Sequence, residues 1–187
     1  MMSAAMPQPR PGVLGAWDRF VGPGMGWQEN TLVIGSGTVG AGLAAWALLL
    51  HGAPLWLVAL GALIALDVIG GAVCNATQTT KRWYHRPGAT LREHVSFTGL
   101  HVLHIVAVAW AFRGPGLDFA YGLGLSATLI TAMLVVLATP RVFKLPVAVV
   151  FYLIAIALTF HVFGATPGLE WFVPALFVKL LIGHLVP

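Results

Sequence analysis

The chain has 187 residues, 58% of them hydrophobic and 9% charged, with a mean hydropathy of +0.87 and a formal net charge of +4. A soluble domain carries about 25% charged residues, so this inventory cannot clothe a water-facing surface. The basic balance does not make a nucleic-acid binder either, because Lys and Arg fall between apolar runs and gather on no soluble face; positive cytoplasmic loops and anionic lipid headgroups account for them.

The length divides best into spans of roughly 20 residues, the number needed to cross a hydrocarbon core of ~30 Å. Residues 1–30 read as a cytoplasmic or interfacial arm, with Trp17, Phe20 and Trp27 suited to the headgroup layer. They hold no apolar core of a secretion signal, so none is expected. Spans are expected over about 31–50, 55–74, 91–112, 119–138, 146–163 and 169–186, with a basic cytoplasmic loop over 75–90. The fold class is therefore all-α: a polytopic membrane protein of about six transmembrane helices in one bundle, in the plasma membrane or, in a bacterium, the inner membrane.

In the first span, Gly35-Ser36-Gly37-Thr38-Val39-Gly40 matches a dinucleotide-binding glycine pattern. That site needs a second strand ending in Asp or Glu about 20 residues later, and the stretch from Pro54 to Leu66 is apolar. The small residues Ser36, Gly40 and Ala44, with Gly37, Ala41 and Ala45, instead suit close helix packing. Thr90-Leu91-Arg92-Glu93 has the spacing of a capping box, which starts a helix before the apolar run, and Asp118 is placed to cap the fourth span. Cys74, the single cysteine, forms no internal disulfide. Asn75-Ala76-Thr77 matches a glycosylation sequon but falls on the cytoplasmic side.

Orientation follows from the basic residues. With the N-terminus inside, the cytoplasmic segments hold Arg10, Arg19, Lys81, Arg82, Arg86, Arg92, Arg141 and Lys144, against Arg113 alone outside, so both termini are expected in the cytoplasm. Asp67 lies roughly 10 Å from the inner end of its span, and His101 climbs roughly 10 Å above His94, at 1.5 Å of rise per residue. The two are level on consecutive helices. His104 lies one turn deeper, offset from the His94–Thr98–His101 face by about 60° at 100° per residue. Lys179 comes from the last span. His51, His161 and Glu170 collect on the outer side, and His85 and His184 at the cytoplasmic edge.

Ionisable groups inside spans are costly and mark function. Asp67 and His101 are the expected acid–base pair of a membrane enzyme acting on a lipid or isoprenoid-like substrate. His104 and Lys179 complete its catalytic pocket, which opens to the cytoplasm between spans two, three and six. Lys81, Arg82, Arg86, Arg92 and Asn75 are expected to bind an anionic substrate headgroup. Two alternatives use the same residues. In one, the Asp/His set is the relay of a small proton-coupled transporter, with a homo-oligomer supplying the symmetry that a single chain lacks. In the other, His94, His101 and His104, with Asp67 or His184, hold a metal ion or a haem in an oxidoreductase, although their spacing matches no diagnostic ligand motif. A structural role, in which Asp–His bonds tie helices together, also suits any one histidine. Membrane lipid is the expected partner; nucleic acid is not.

Overall fold

The structure, a computed structural model, describes residues 7–187, so the first six residues of the expected N-terminal arm lie outside it. The described part of that arm is helical. It forms α1 (Gly12–Val21), and the first long helix, α2, already begins at Trp27 and runs to Leu50. Here Asn30 ties the two together: its side-chain oxygen accepts from Trp17 Nε1 at 2.8 Å, while its amide donates to the Met25 and Gly26 carbonyls.

Pro54 leads into α3 (Leu55–Ala76), and α2 and α3 make an antiparallel hairpin across the tight turn at Gly52, whose φ is +70°. The stretch read as a loop over 75–90 contains a short helix, α4 (Gln78–Tyr84), because the Thr77 hydroxyl accepts from Thr80 N and restarts the chain. The third span starts where its capping box places it, with Thr90 and Glu93 each satisfying the other's backbone N–H. It is not one continuous helix: α5 (Leu91–Leu100) and α6 (Val102–Ala111) meet at His101. The Asp118 carboxylate caps α7 (Phe119–Ala138) by accepting from Tyr121 N at 3.0 Å. A 3₁₀ turn, Arg141–Phe143, opens α8 (Lys144–Ala157), which loosens into a π-helical turn over Leu158–Phe163. Finally α9 (Phe172–Phe177) continues as a π-helical stretch over Val178–His184.

Five helices are long and apolar enough to cross a membrane, and the sixth, Phe172–His184, is shorter, about 20 Å at 1.5 Å per residue. It is the innermost element. Phe172, Leu176, Phe177, Leu180 and Leu181 are fully buried, packed against α3 and α8. A helix sheathed by its neighbours has no lipid-facing length to match, which is why the last span stops short of the 169–186 expected.

All the segments expected in the cytoplasm meet at one end of the bundle. Trp83 Nε1 donates to the Arg19 carbonyl at 3.0 Å and the Tyr84 hydroxyl to that of Phe20 at 3.1 Å. Lys81 Nζ donates to the Ile182, Gly183 and Val186 carbonyls, where a cation suits the negative end of a helix. At the opposite end Arg113 bonds Asp118 and the Phe163 and Gly164 carbonyls. The first end carries the basic residues that the positive-inside rule would place in the cytoplasm.

The α2–α3 seam uses the glycines of the false dinucleotide motif. A Cβ on Gly37 would stand 3.0 Å from the Leu66 carbonyl oxygen, and one on Gly40 would stand 2.6 Å from Ile69 Cδ1 and 3.0 Å from its Cβ. Gly42, on the same helix, faces open space. Gly40→Ala is expected to cost about 1–3 kcal/mol through overpacking, whereas Gly42→Ala should gain up to about 1 kcal/mol of helix propensity. Thermal unfolding of both variants in detergent checks the pair; equal midpoints would remove the seam from the account.

Candidate functional site

The site is built on Asp67, in the middle of α3, and on what the last helix brings to it. Lys179 Nζ donates to Asp67 Oδ2 at 2.6 Å and to the Asp67 carbonyl at 3.2 Å, with Lys179 only 1% exposed. Gly71, one turn below Asp67, makes this possible: a Cβ there would lie 2.5 Å from Lys179 Cε and 2.8 Å from its Nζ. Asn75, a further turn down, is buried and donates from its amide to the Lys179 carbonyl at 3.0 Å. One face of α3 thus accommodates the Lys179 side chain and grips its backbone. Asn75, expected at a substrate headgroup, is a brace between helices.

His101 and His104 reach the same carboxylate, with Nε2 atoms 3.8 and 3.2 Å from Asp67 Oδ2. The break between α5 and α6 is what aligns them. His101 Nδ1 lies 2.7 Å from the Phe97 carbonyl, taking the acceptor that its own backbone N–H would use in a regular helix. That N–H goes instead to Thr98 O, and His104 N to His101 O, each at 3.1 Å and three residues back. Such a 3₁₀ turn eclipses side chains at i and i+3, erasing the offset of about 60° that an ideal α-helix imposes. The rings stack at 5.1 Å with 15° between their planes. Because a carbonyl only accepts, Nδ1 of neutral His101 carries the proton and Nε2 turns its lone pair toward Asp67.

Two cavities flank Asp67. One of about 410 Å³ is lined by Arg19, Phe20, Tyr84, Phe97, Leu100, His101 and His104 as well as Asp67. The other, of about 360 Å³, lies between α1, α2 and α3 and is apolar apart from Asp67, with walls that include Trp17, Phe20, Ile34 and Leu66. Phe20 borders both, so α1 lies across the mouth of the site at the basic end of the bundle. On the outer side, Trp56 of α3 and Trp110 of α6 approach to 6.3 Å between ring centroids. Between these two closures, the gap between α3 and α5–α6 is where the acid–base groups are found.

His94 does not join the other histidines of its span. Its Nδ1 lies 3.1 Å from Nε2 of His184, on the last helix, and its ring stacks on His85 at 5.0 Å. His85 Nε2 donates to the His184 carbonyl at 2.9 Å. Burial, followed by His94 and the nearby cations Lys81 and Lys144, pulls His85 down to about 4. The His184 ring lies against Phe97 at 4.1 Å, so this second cluster stands one aromatic ring away from His101. The expected metal set His94, His101 and His104 is thereby split between two clusters, and among the described residues no group of three or more His, Cys, Asp or Glu is arranged to hold a metal ion.

The expected headgroup residues also divide. Lys81 is spent on the last helix. Arg86 bonds Glu93 at 2.8 Å and lies over the Trp83 ring at 4.2 Å. Arg82 and Arg92 are exposed. His51, His161 and Glu170 are exposed near the outer end. The sequence reading passed over Gly71 and Phe97 and placed Phe20 only in the headgroup layer; Phe20, Tyr84 and Phe97 line the site. Gly71 left a trace, a glycine one helical turn from a buried carboxylate. Burial pushes the Tyr84 hydroxyl up to about 12, so it stays protonated as the donor that holds α1.

Lys179→Met should lower stability by about 3 kcal/mol, the low end for stripping one partner from a buried ion pair, since the Asp67 side chain is 35% exposed to its cavities. Adding Asp67→Asn should recover much of that loss. A double-mutant cycle by detergent unfolding measures the coupling, and strictly additive losses would mean that the two charges do not depend on each other.

Compared with known protein families, curated proteins and solved structures, the chain matches none.

Proposed function

We propose that this chain is a membrane-embedded enzyme that moves a proton to or from an amphipathic, lipid-like substrate lodged between α3 and α5–α6. The observation that carries the reading is the convergence of two acceptors on one point: the lone pair of His101 Nε2 and Asp67 Oδ2 lie 3.8 Å apart, too far to bond each other and well placed to share a donor. A substrate hydroxyl held there would hand its proton to His101 as general base. Asp67, with Lys179 as counter-ion, would stabilise the imidazolium that forms. His104, 3.2 Å from the same oxygen, fixes the carboxylate and offers a second proton. The apolar walls Phe97 and Leu100 suit an acyl or isoprenoid chain, and Arg19 and Phe20 of α1 stand where its polar end would emerge.

Purified protein in nanodiscs of total polar lipid extract should consume one lipid component, followed by mass spectrometry. General acid–base groups contribute about 10²–10⁴-fold, so His101→Gln should slow that turnover by at least about 100-fold without unfolding the chain. Asp67→Asn, which also strands the buried Lys179 ammonium, is compared with Asp67→Asn/Lys179→Met, where no charge is left unpaired. A lipid pool left unchanged by the wild type sinks the enzyme.

A second reading is supported by the row His101, Phe97, His184, His94 and His85, which lines imidazoles up from the Asp67 site toward the basic end. In a proton-coupled transporter the imidazoles of that row would be the inner half of the relay, with a water molecule carrying the proton past Phe97. Sealed vesicles separate the two readings: a pH-driven flux that Asp67→Asn abolishes, with no lipid turned over, assigns the same residues to transport.

A further inference from the structure

Next to the histidine cluster, at the basic end, is a cavity of about 300 Å³ whose walls include His85, Arg86, His94, Arg141, Lys144 and Pro187. These residues come from the turn after α4, from α5, from the 141–144 turn and from the end of the chain, so the pocket exists only in the folded protein. Arg86 and Arg141 are permanent cations, and Lys144 adds an ammonium group. Glu93 is the one acidic side chain bonded to any of them among the described residues, and it is taken by Arg86. Lys144 Nζ gives two bonds to the Val136 and Leu137 carbonyls at 2.8 and 3.2 Å, leaving its third N–H free. Arg141 is exposed and makes no side-chain hydrogen bond or ion pair among the described residues, so its whole fork of donors is available. His94 Nε2 and His85 Nδ1 are likewise unused.

We propose that this pocket is a phosphate site, taking either the phosphate of an anionic lipid headgroup or a free phosphate or pyrophosphate ion. A guanidinium fork with an ammonium beside it is the donor set that phosphate favours, and the pocket lies at the bundle end expected to face the headgroup layer. It shares no lining residue with the Asp67 cavities, so it stands or falls apart from the reaction proposed above. Of the residues expected to bind an anionic headgroup, Arg86 lines this pocket.

Two probes separate the sources of phosphate. Inorganic pyrophosphate is titrated calorimetrically into the full chain in neutral detergent. Phosphatidic acid is doped into phosphatidylcholine nanodiscs, and bound lipid is counted by native mass spectrometry. One saturable equivalent of either is expected; the lipid alone names a headgroup site, and pyrophosphate names a soluble ligand. Arg141→Gln should weaken binding about tenfold, the loss of one charge-assisted contact, and Arg141→Lys should restore part of it. Arg141 holds no other element in place, so an unchanged unfolding midpoint will confirm that the variant is intact. Arg92→Gln, a cation removed from the same end but outside the pocket, should bind as the wild type does. No saturable binding of either probe, or equal losses in Arg141→Gln and Arg92→Gln, overturns the site in favour of diffuse surface charge.

Discussion

The arrangement depends on keeping an ammonium group inside a bundle made of hydrocarbon. An unpaired charge in such surroundings costs several kcal/mol, and Lys179 is almost completely buried. Its attachment to Asp67 therefore constrains much else. Residue 71 must be glycine-sized, the last helix must sit at one height against α3, and Asn75 and Lys81 hold that height by bonding carbonyls of the same helix. The carboxylate that neutralises Lys179 is in turn available to His101 and His104. An ion pair made for stability is the centre of the proposed reaction site.

Around that centre the packing is uneven. The α2–α3 hairpin is drawn tight by glycines, and the last helix is sheathed on all sides. Helices α5 and α6 pack on α7 instead and leave the Asp67 side of α3 bordered by cavities. Close packing in one place and space in another is how a small bundle acquires a pocket, since interiors otherwise fill to near-crystalline density. The amphipathic helix α1 spans both cavities. It leaves Val13 and Leu14 largely exposed and is tied down through Trp17, Trp83 and Tyr84. Amphipathic helices of this kind suit a membrane–water interface.

The two histidine clusters divide the polar chemistry by depth. His85, His94 and His184 belong to the basic end, beside the cationic pocket, and His101 and His104 to the Asp67 site. Phe97 stands between them, stacked on His184 at 4.1 Å and tilted against His101 at 4.9 Å. The same residue supplies the carbonyl that turns His101 out of its helix. Its side chain separates the clusters, and its backbone sets the geometry of one of them.

Amino-acid sequence by itself determined what is local or follows from solvent. The apolar runs require a lipid environment and helices, because every backbone group must be bonded within the segment there. Thr90 with Glu93, and Asp118 with Tyr121, are caps whose partners lie three residues away, so reading the chain was enough to place them. The level of Asp67 against His101 followed from helical rise alone. Tertiary structure decided the rest. The break at His101 depends on a ring choosing its own helix's carbonyl over a distant partner, which no periodicity records. His94 left its expected companions because the last helix offered His184 from 90 residues away. Lys81 and Asn75 became braces for that helix, and Arg141 and Lys144, distant in the chain, joined Arg86. Each of these outcomes turns on which helix lies next to which, a property of the packed bundle that hydropathy along a chain does not encode.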